Sequence, residues 1–185
     1  MDIEKYTDRS KGFIQAAQSL ALRENHQRLT PEHLLKVLLD DKEGLASGLI
    51  AKAGGDAKLA RQGVEAAVNK IPKVTGSGAG QLSLTPELAR LFASVEALAD
   101  KAGDSYVTAE RLLLALALEK GTESASILKA ANVTANGLNT AINDLRKGRT
   151  ADSSGAEAGY DALNKYARDL TEAAREGKLD PVIGR

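Results

Sequence analysis

Thr30-Pro31-Glu32-His33-Leu34-Leu35 and Thr108-Ala109-Glu110-Arg111-Leu112-Leu113 lie 78 positions apart. Sliding the chain against itself by that distance gives further matches without a gap. Thr7 falls on Thr85, Leu20 on Leu98, Ala21 on Ala99, Leu38 on Leu116, Lys42 on Lys120, Ala53 on Ala131 and Ala57 on Ala135. Apolar character is kept where identity is not: Phe13 meets Leu91, Leu29 meets Val107, Leu49 meets Ile127, Ile50 meets Leu128 and Val64 meets Ile142. The identities alone are modest. Their constant register, with apolar positions in step, marks an internal duplication.

Each copy reads as four helices. Phe13, Ala17, Leu20 and Ala21 have the i, i+4, i+7, i+8 spacing of one buried helix face. A second helix opens at Thr30-Pro31-Glu32: the hydroxyl can accept an orphan amide, Pro suits the first helical position, and the acid suits the positive end of the dipole. A short third helix covers about Leu45 to Ala53 and stops at Gly54-Gly55. Asp56 caps a fourth, which runs to about Lys70 before Pro72. The second copy repeats these signals at Thr85-Pro86-Glu87, at Thr108 and at Thr134, with Gly103 closing its first helix. The expected fold is all-α: eight helices, as two four-helix repeats in a pseudo-twofold arrangement. Repeat one covers about residues 7–72 and repeat two about 85–147, in a domain spanning 1–147.

Two stretches break this pattern. Lys73 to Gly80 is rich in Gly and Ser and reads as the connector between the copies. Its glycines could suggest a phosphate cradle, but no strand precedes them, and Gln81-Leu82 follow where a Lys-Ser/Thr pair would be needed. The second stretch, 148–159, reads as a flexible interdomain linker. Beyond it, Leu163, Tyr166, Leu170 and Ala174 share one helix face, and residues 160–185 are too few for a core of their own. The chain is expected to stop inside a larger protein.

Composition narrows the functional classes. Hydrophobic residues make up 43% and aromatics 3%, so the core must be built from Leu, Ala, Val and Ile, which suits helix packing. Lys plus Arg equals Asp plus Glu at 25 each, so no global basic field draws nucleic acid or anionic lipid. With no cysteine, disulfides and thiolate metal sites are excluded. The charged N-terminus has no apolar signal segment, and no run reaches membrane-spanning length. A soluble, cytoplasmic, monomeric piece is the expectation.

The residues offer no catalytic constellation and no metal set. His26 and His33 are the only histidines, and the break at Thr30-Pro31 argues that they do not share a face; His33 is expected to pack or cap. The third helices carry one Lys each and no Arg, too little for DNA readout as a helix–turn–helix. What remains is surface where the two copies meet. Asp104, Tyr106 and Glu110 surround the start of the sixth helix, and Leu98 lies one turn before the preceding loop. These residues support two readings: a groove of acids beside apolar side chains that takes a peptide segment, or a helix-dipole acid with Leu98 and Tyr106 in the core.

Leu163-Asn164-Lys165-Tyr166-Ala167-Arg168-Asp169-Leu170-Thr171 and Gly177-Lys178-Leu179-Asp180-Pro181-Val182-Ile183-Gly184-Arg185 resemble the entry to the first ATPase module of the Clp/heat-shock AAA+ unfoldases. The duplicated part resembles the Clp N-terminal domain, with its Thr-Pro-Glu-His-Leu-Leu signature at Thr30 to Leu35. Tyr6-Thr7-Asp8-Arg9, Gly103-Asp104-Ser105-Tyr106-Val107, Gly121-Thr122 and Ile127-Leu128-Lys129-Ala130-Ala131 resemble the ClpB-type disaggregase branch. The resemblance covers essentially the whole chain. It implies a hexameric, ATP-driven chaperone that works with the DnaK system and threads aggregated polypeptides through a pore, with this domain engaging them. It implies substrate-engaging roles for Thr7, Asp104 and Glu110, to which Leu98 and Tyr106 are added as apolar contacts. It also places Val182 and Ile183 beside the nucleotide base, with ATP and Mg held only by the complete module. The hydrolytic motifs would follow Arg185, so these residues alone are expected to be no enzyme and to need no cofactor. The alternative role in the same family is an adaptor-docking or regulatory domain.

Overall fold

A computed structural model describes residues 1–76 and 80–157. After a single 3-10 turn at Ile3–Lys5, repeat one forms α1 (Asp8–Arg23), β1 (Arg28–Leu29), α2 (Pro31–Leu39), α3 (Leu45–Lys52) and α4 (Ala57–Asn69). Repeat two forms β2 (Ser83–Leu84), α5 (Pro86–Lys101), α6 (Ala109–Leu118), α7 (Glu123–Ala130) and α8 (Ala135–Arg146). The eight-helix, all-α expectation holds.

The helix starts follow the sequence closely because capping is local chemistry. Thr7, Thr30, Asp56, Thr85, Thr122 and Thr134 each accept a hydrogen bond from the backbone amide three residues on. Each such cap contributes about 1 kcal/mol. Asn25 and Gly103 fall 78 positions apart and both take left-handed φ values, 61° and 81°, just after α1 and α5. Gly54 and Asn132 form a second equivalent pair after α3 and α7, at 88° and 64°. Asn is the residue other than Gly that tolerates this conformation best, so the duplication keeps the turn while the residue type changes.

The pseudo-twofold relation is visible in the pairing. Leu29 pairs with Leu84 in the parallel β1–β2 ladder, and Tyr6 forms a parallel bridge with Val107. Position 84 is 6 + 78 and position 107 is 29 + 78, so the two contacts are the same contact with the repeats exchanged. The helices obey the same rule: α4 packs on α7 as α8 packs on α3, and α1 meets α6 as α5 meets α2. The repeats thus share one core. Leu34, Leu35, Leu38 and Leu39 of α2 and Leu112, Leu113 and Leu116 of α6 are buried at its centre. A fully buried Leu of this kind contributes about 1.5–3 kcal/mol. On α1, Ile14 takes the buried position adjoining Phe13, which is half-buried against the core.

Candidate functional site

Helix α6 carries the site. From Ala109 to Leu116 every residue is buried, including Glu110 and Arg111. Placing charges there requires partners, because an unpaired buried charge costs several kcal/mol. The partner of Glu110 is Arg146, the last residue of α8. It lies on the stripe of Leu138 and Ile142, where spacing alone would put an apolar side chain. Its Nη1 donates to Asp104 Oδ1 at 2.6 Å, its Nε to Glu110 Oε1 at 2.9 Å and its Nη2 to Thr108 Oγ1 at 2.7 Å. One planar guanidinium therefore ties the loop before α6 to the first turn of α6, using its fixed fork of donors. Arg111 Nε lies 3.5 Å from Asp104 Oδ2. Burial, and then the charge of Arg146, depress the Arg111 pKa, while Asp104 and Glu110 pull it back up.

Thr7 lies against the loop just before α6. It is fully buried; its amide donates to the Val107 carbonyl at 3.0 Å, and its Oγ1 caps α1 by accepting from the Ser10 amide at 3.1 Å. Ser10 Oγ donates back to the same Val107 carbonyl at 2.8 Å. Tyr6, next in the chain, is sealed edge-on against Phe92 at 6.0 Å and donates its hydroxyl to Glu96 Oε2 at 2.8 Å. Burial, then that hydrogen bond and the Glu96 charge, raise the Tyr6 pKa.

The structure thus brings Thr7, Asp104 and Glu110 to one place, but not as an acidic rim. Asp104 is 4% exposed and Glu110 0%, and both carboxylates face inward to arginine. The picture of surface acids beside apolar groups is corrected in that respect: an acid at a helix start can be drawn inward when a buried cation meets it. Leu98 and Tyr106 are half-buried, and Leu98 packs against the hydrophobic core. Val182 and Ile183 lie outside the described residues.

The start of α6 has a further partner that the sequence did not reveal. The Thr108 hydroxyl is engaged by Arg146 and makes no cap bond. The Ala109 amide donates instead to Glu157 Oε2 at 2.8 Å. Glu157 sits in the stretch read as a linker, whose described part, 148–157, lies against the second repeat: Ala151 is fully buried and Glu157 is 2% exposed. Burial first, and the nearby Glu110 second, push the Glu157 carboxyl up to about 7; hydrogen bonds from Thr7 and Ala109 and the charge of Arg9 oppose that rise.

The histidines also meet, although the break at Thr30-Pro31 keeps them off a common helix face. His26 Nδ1 and His33 Nε2 are 2.8 Å apart, with β1 between them in the chain. The Thr30 amide donates to His33 Nδ1 at 3.0 Å, so the His33 proton sits on Nε2 and points to His26. His33 completes the capping box with Thr30, as a capping role required.

Residues 5–131 match the Clp repeat (R) N-terminal domain family. The whole chain is 63% identical to part of the chaperone protein ClpB of Rhodopseudomonas palustris and 62% identical to part of that of Agrobacterium fabrum. In both cases it spans 21% of the relative's length. Among solved structures, it is similar to the N-terminal domain of Hsp104 from Candida albicans, with a TM-score of 0.72 at 22% identity over 83% of this chain and 99% of that one. It is also similar to the N-terminal domain of the ClpV1 ATPase from E. coli, with a TM-score of 0.64 at 19% identity over 83% and 91%. At those identities the two structures speak for the fold alone.

Proposed function

The chain belongs to the Clp repeat N-terminal domain family, and on that premise we propose that it is the client-engaging N-terminal domain of a ClpB-type disaggregase. Identity above 60% across all 185 residues to ClpB chaperones is the observation that carries this reading. In it, the domain captures exposed segments of unfolded or aggregated polypeptide. A hexameric AAA+ parent then threads them through its pore with ATP and Mg, in concert with the DnaK system. The half-buried Leu98 and Tyr106 supply apolar contact, and the buried Thr7, Asp104 and Glu110 hold the loop before α6 and the start of α1 in register beside them. Such a site binds without sequence selection and weakly, which suits hand-over to a pore.

Titration with a denatured model protein, followed by NMR, tests the reading. Shifts should cluster on Leu98, Ser105 and Tyr106. Truncating Leu98 or Tyr106 to Ala should weaken binding about five- to thirty-fold, the effect of losing 1–2 kcal/mol of apolar contact. Absence of shifts with unfolded chains, together with saturation by a folded adaptor, would replace this reading with an adaptor-docking role.

A further inference from the structure

After α8, the chain runs back over the surface that carries Thr7, Asp104 and Glu110. Ala151 is gripped on both sides of its backbone. Its N–H donates to Asp104 Oδ1 at 3.0 Å, and its carbonyl accepts from the Ser105 and Tyr106 amides at 2.9 and 3.1 Å. The Ser154 carbonyl accepts from the Asp8 amide, the residue after Thr7, at 2.8 Å. Glu157 then supplies the carboxylate that caps α6. Four of these five hydrogen bonds use only backbone groups of the segment, which any polypeptide offers. Two features suit the resident segment in particular: the methyl of Ala151 is enclosed, and Glu157 meets the Ala109 amide six positions later.

We propose that this surface is a docking site for extended polypeptide and that residues 151–157 are its resident occupant, which a client must displace. This rests on the client-engaging reading above. The segment is tethered to α8 and so holds the site at the high effective concentration of a short linker. It binds through Asp104 and beside Thr7, so a client reaching Leu98 and Tyr106 competes with it along the Ser105–Tyr106 backbone. The apparent client affinity is then the intrinsic affinity scaled by the fraction of molecules with the segment released. The occupant makes weak client binding a property of the chain itself.

The test compares the 185-residue chain with Ala151→Arg, whose side chain the enclosed site cannot hold, and with Glu157→Ala, which removes the cap. Amide hydrogen exchange reads release. In Ala151→Arg the Tyr106 and Ala109 amides should exchange about tenfold faster while Leu38 in α2 is unchanged. Reduced, carboxymethylated α-lactalbumin should bind both variants about fivefold more tightly than the parent chain. Unchanged exchange at Tyr106 and Ala109 in both variants overturns the occupancy. Faster exchange with unaltered client affinity overturns the competition and leaves the client-engaging reading standing. Faster exchange with no client binding by any of the three chains overturns that reading, and the competition with it.

Discussion

Arg146 reaches across from the end of α8 to Asp104, with Nη1 2.6 Å from Oδ1 and both residues less than 5% exposed. The same guanidinium holds Glu110 and Thr108, so one cation joins three side chains around one loop, with Arg111 3.5 Å from the other oxygen of Asp104. A buried pair of this kind is weak evidence of net stabilisation, since an apolar substitute of similar volume can do as well. Removing one partner is different, because the other charge remains buried. Arg146→Leu should therefore destabilise the domain by about 3–5 kcal/mol. Arg146→Lys should recover only part of this, because one ammonium cannot span three oxygens in a fixed fork. Urea unfolding followed by circular dichroism gives both values; a loss under about 1 kcal/mol for the Leu variant would contradict the buried pairing.

The boundary between what was legible and what was not follows the range of the interactions. Thr30, Asp56, Thr85 and Thr134 could be assigned as caps because the acceptor and the amide are three residues apart, whereas Thr108, read in the same way, accepts from Arg146 instead. The repeat gave the shared core because equivalent apolar positions must meet equivalent neighbours. Asp104 and Arg146 are 42 residues apart, and nothing local tells an acid at a helix start that it will turn inward. The one available signal was Arg146 itself, an arginine on the apolar stripe of Leu138 and Ile142. Positions 26 and 104 are also equivalent, as are 33 and 111, so His26–His33 and Asp104–Arg111 are the same contact written in different chemistry. Matching residues by identity hides such a pair, whereas matching them by position exposes it.

The histidine pair makes stability sensitive to acid. Burial, reinforced by His26, depresses the His33 pKa to about 4. Between pH 6.5 and 4 the unfolded chain carries a proton on this residue that the folded protein does not, so stability falls as pH drops through that window and is level above it. The loss is on the order of 3 kcal/mol from the shift alone. Comparing urea midpoints of the parent chain and His33→Asn from pH 7.5 to 4.5 isolates it. The variant should be less stable at neutral pH, through loss of the capping box, yet show a flatter acid limb. Parallel limbs would contradict the shift.

Two glycines should respond in opposite directions to Ala. A Cβ at Gly55 would lie 2.6 Å from Val133 Cγ2 and 3.1 Å from the Ala131 carbonyl, where the repeats touch. Gly55→Ala should cost about 1–3 kcal/mol as overpacking forces the α3–α4 turn away from repeat two. Gly12 is exposed inside α1 and a Cβ there meets nothing within 4 Å. Gly12→Ala should stabilise by about 0.5–1 kcal/mol through helix propensity. Thermal unfolding of both variants checks the pair; a stabilised Gly55→Ala would mean that the inter-repeat contact is looser than described.

Glu157 predicts a dependence on pH of the opposite sign to that of His33. When it is docked on the Ala109 amide, burial and the facing Glu110 push its carboxyl up to about 7, against hydrogen bonds from Thr7 and Ala109 and the charge of Arg9. Released into water it returns to the ordinary carboxylate range, near 4.3. Between those values the docked form holds a proton that the released form lacks, so docking strengthens as pH falls from 7 towards 4.5 and weakens as pH rises through 7. Amide exchange at Ala109 and Tyr106, corrected for the intrinsic effect of pH, should therefore show protection about tenfold greater at pH 5.5 than at pH 8. Glu157→Gln, which stays neutral and can still accept from the Ala109 amide, should remove that difference while keeping the segment docked. If the parent chain and Glu157→Gln gave the same pH profile, the titrating group would lie elsewhere.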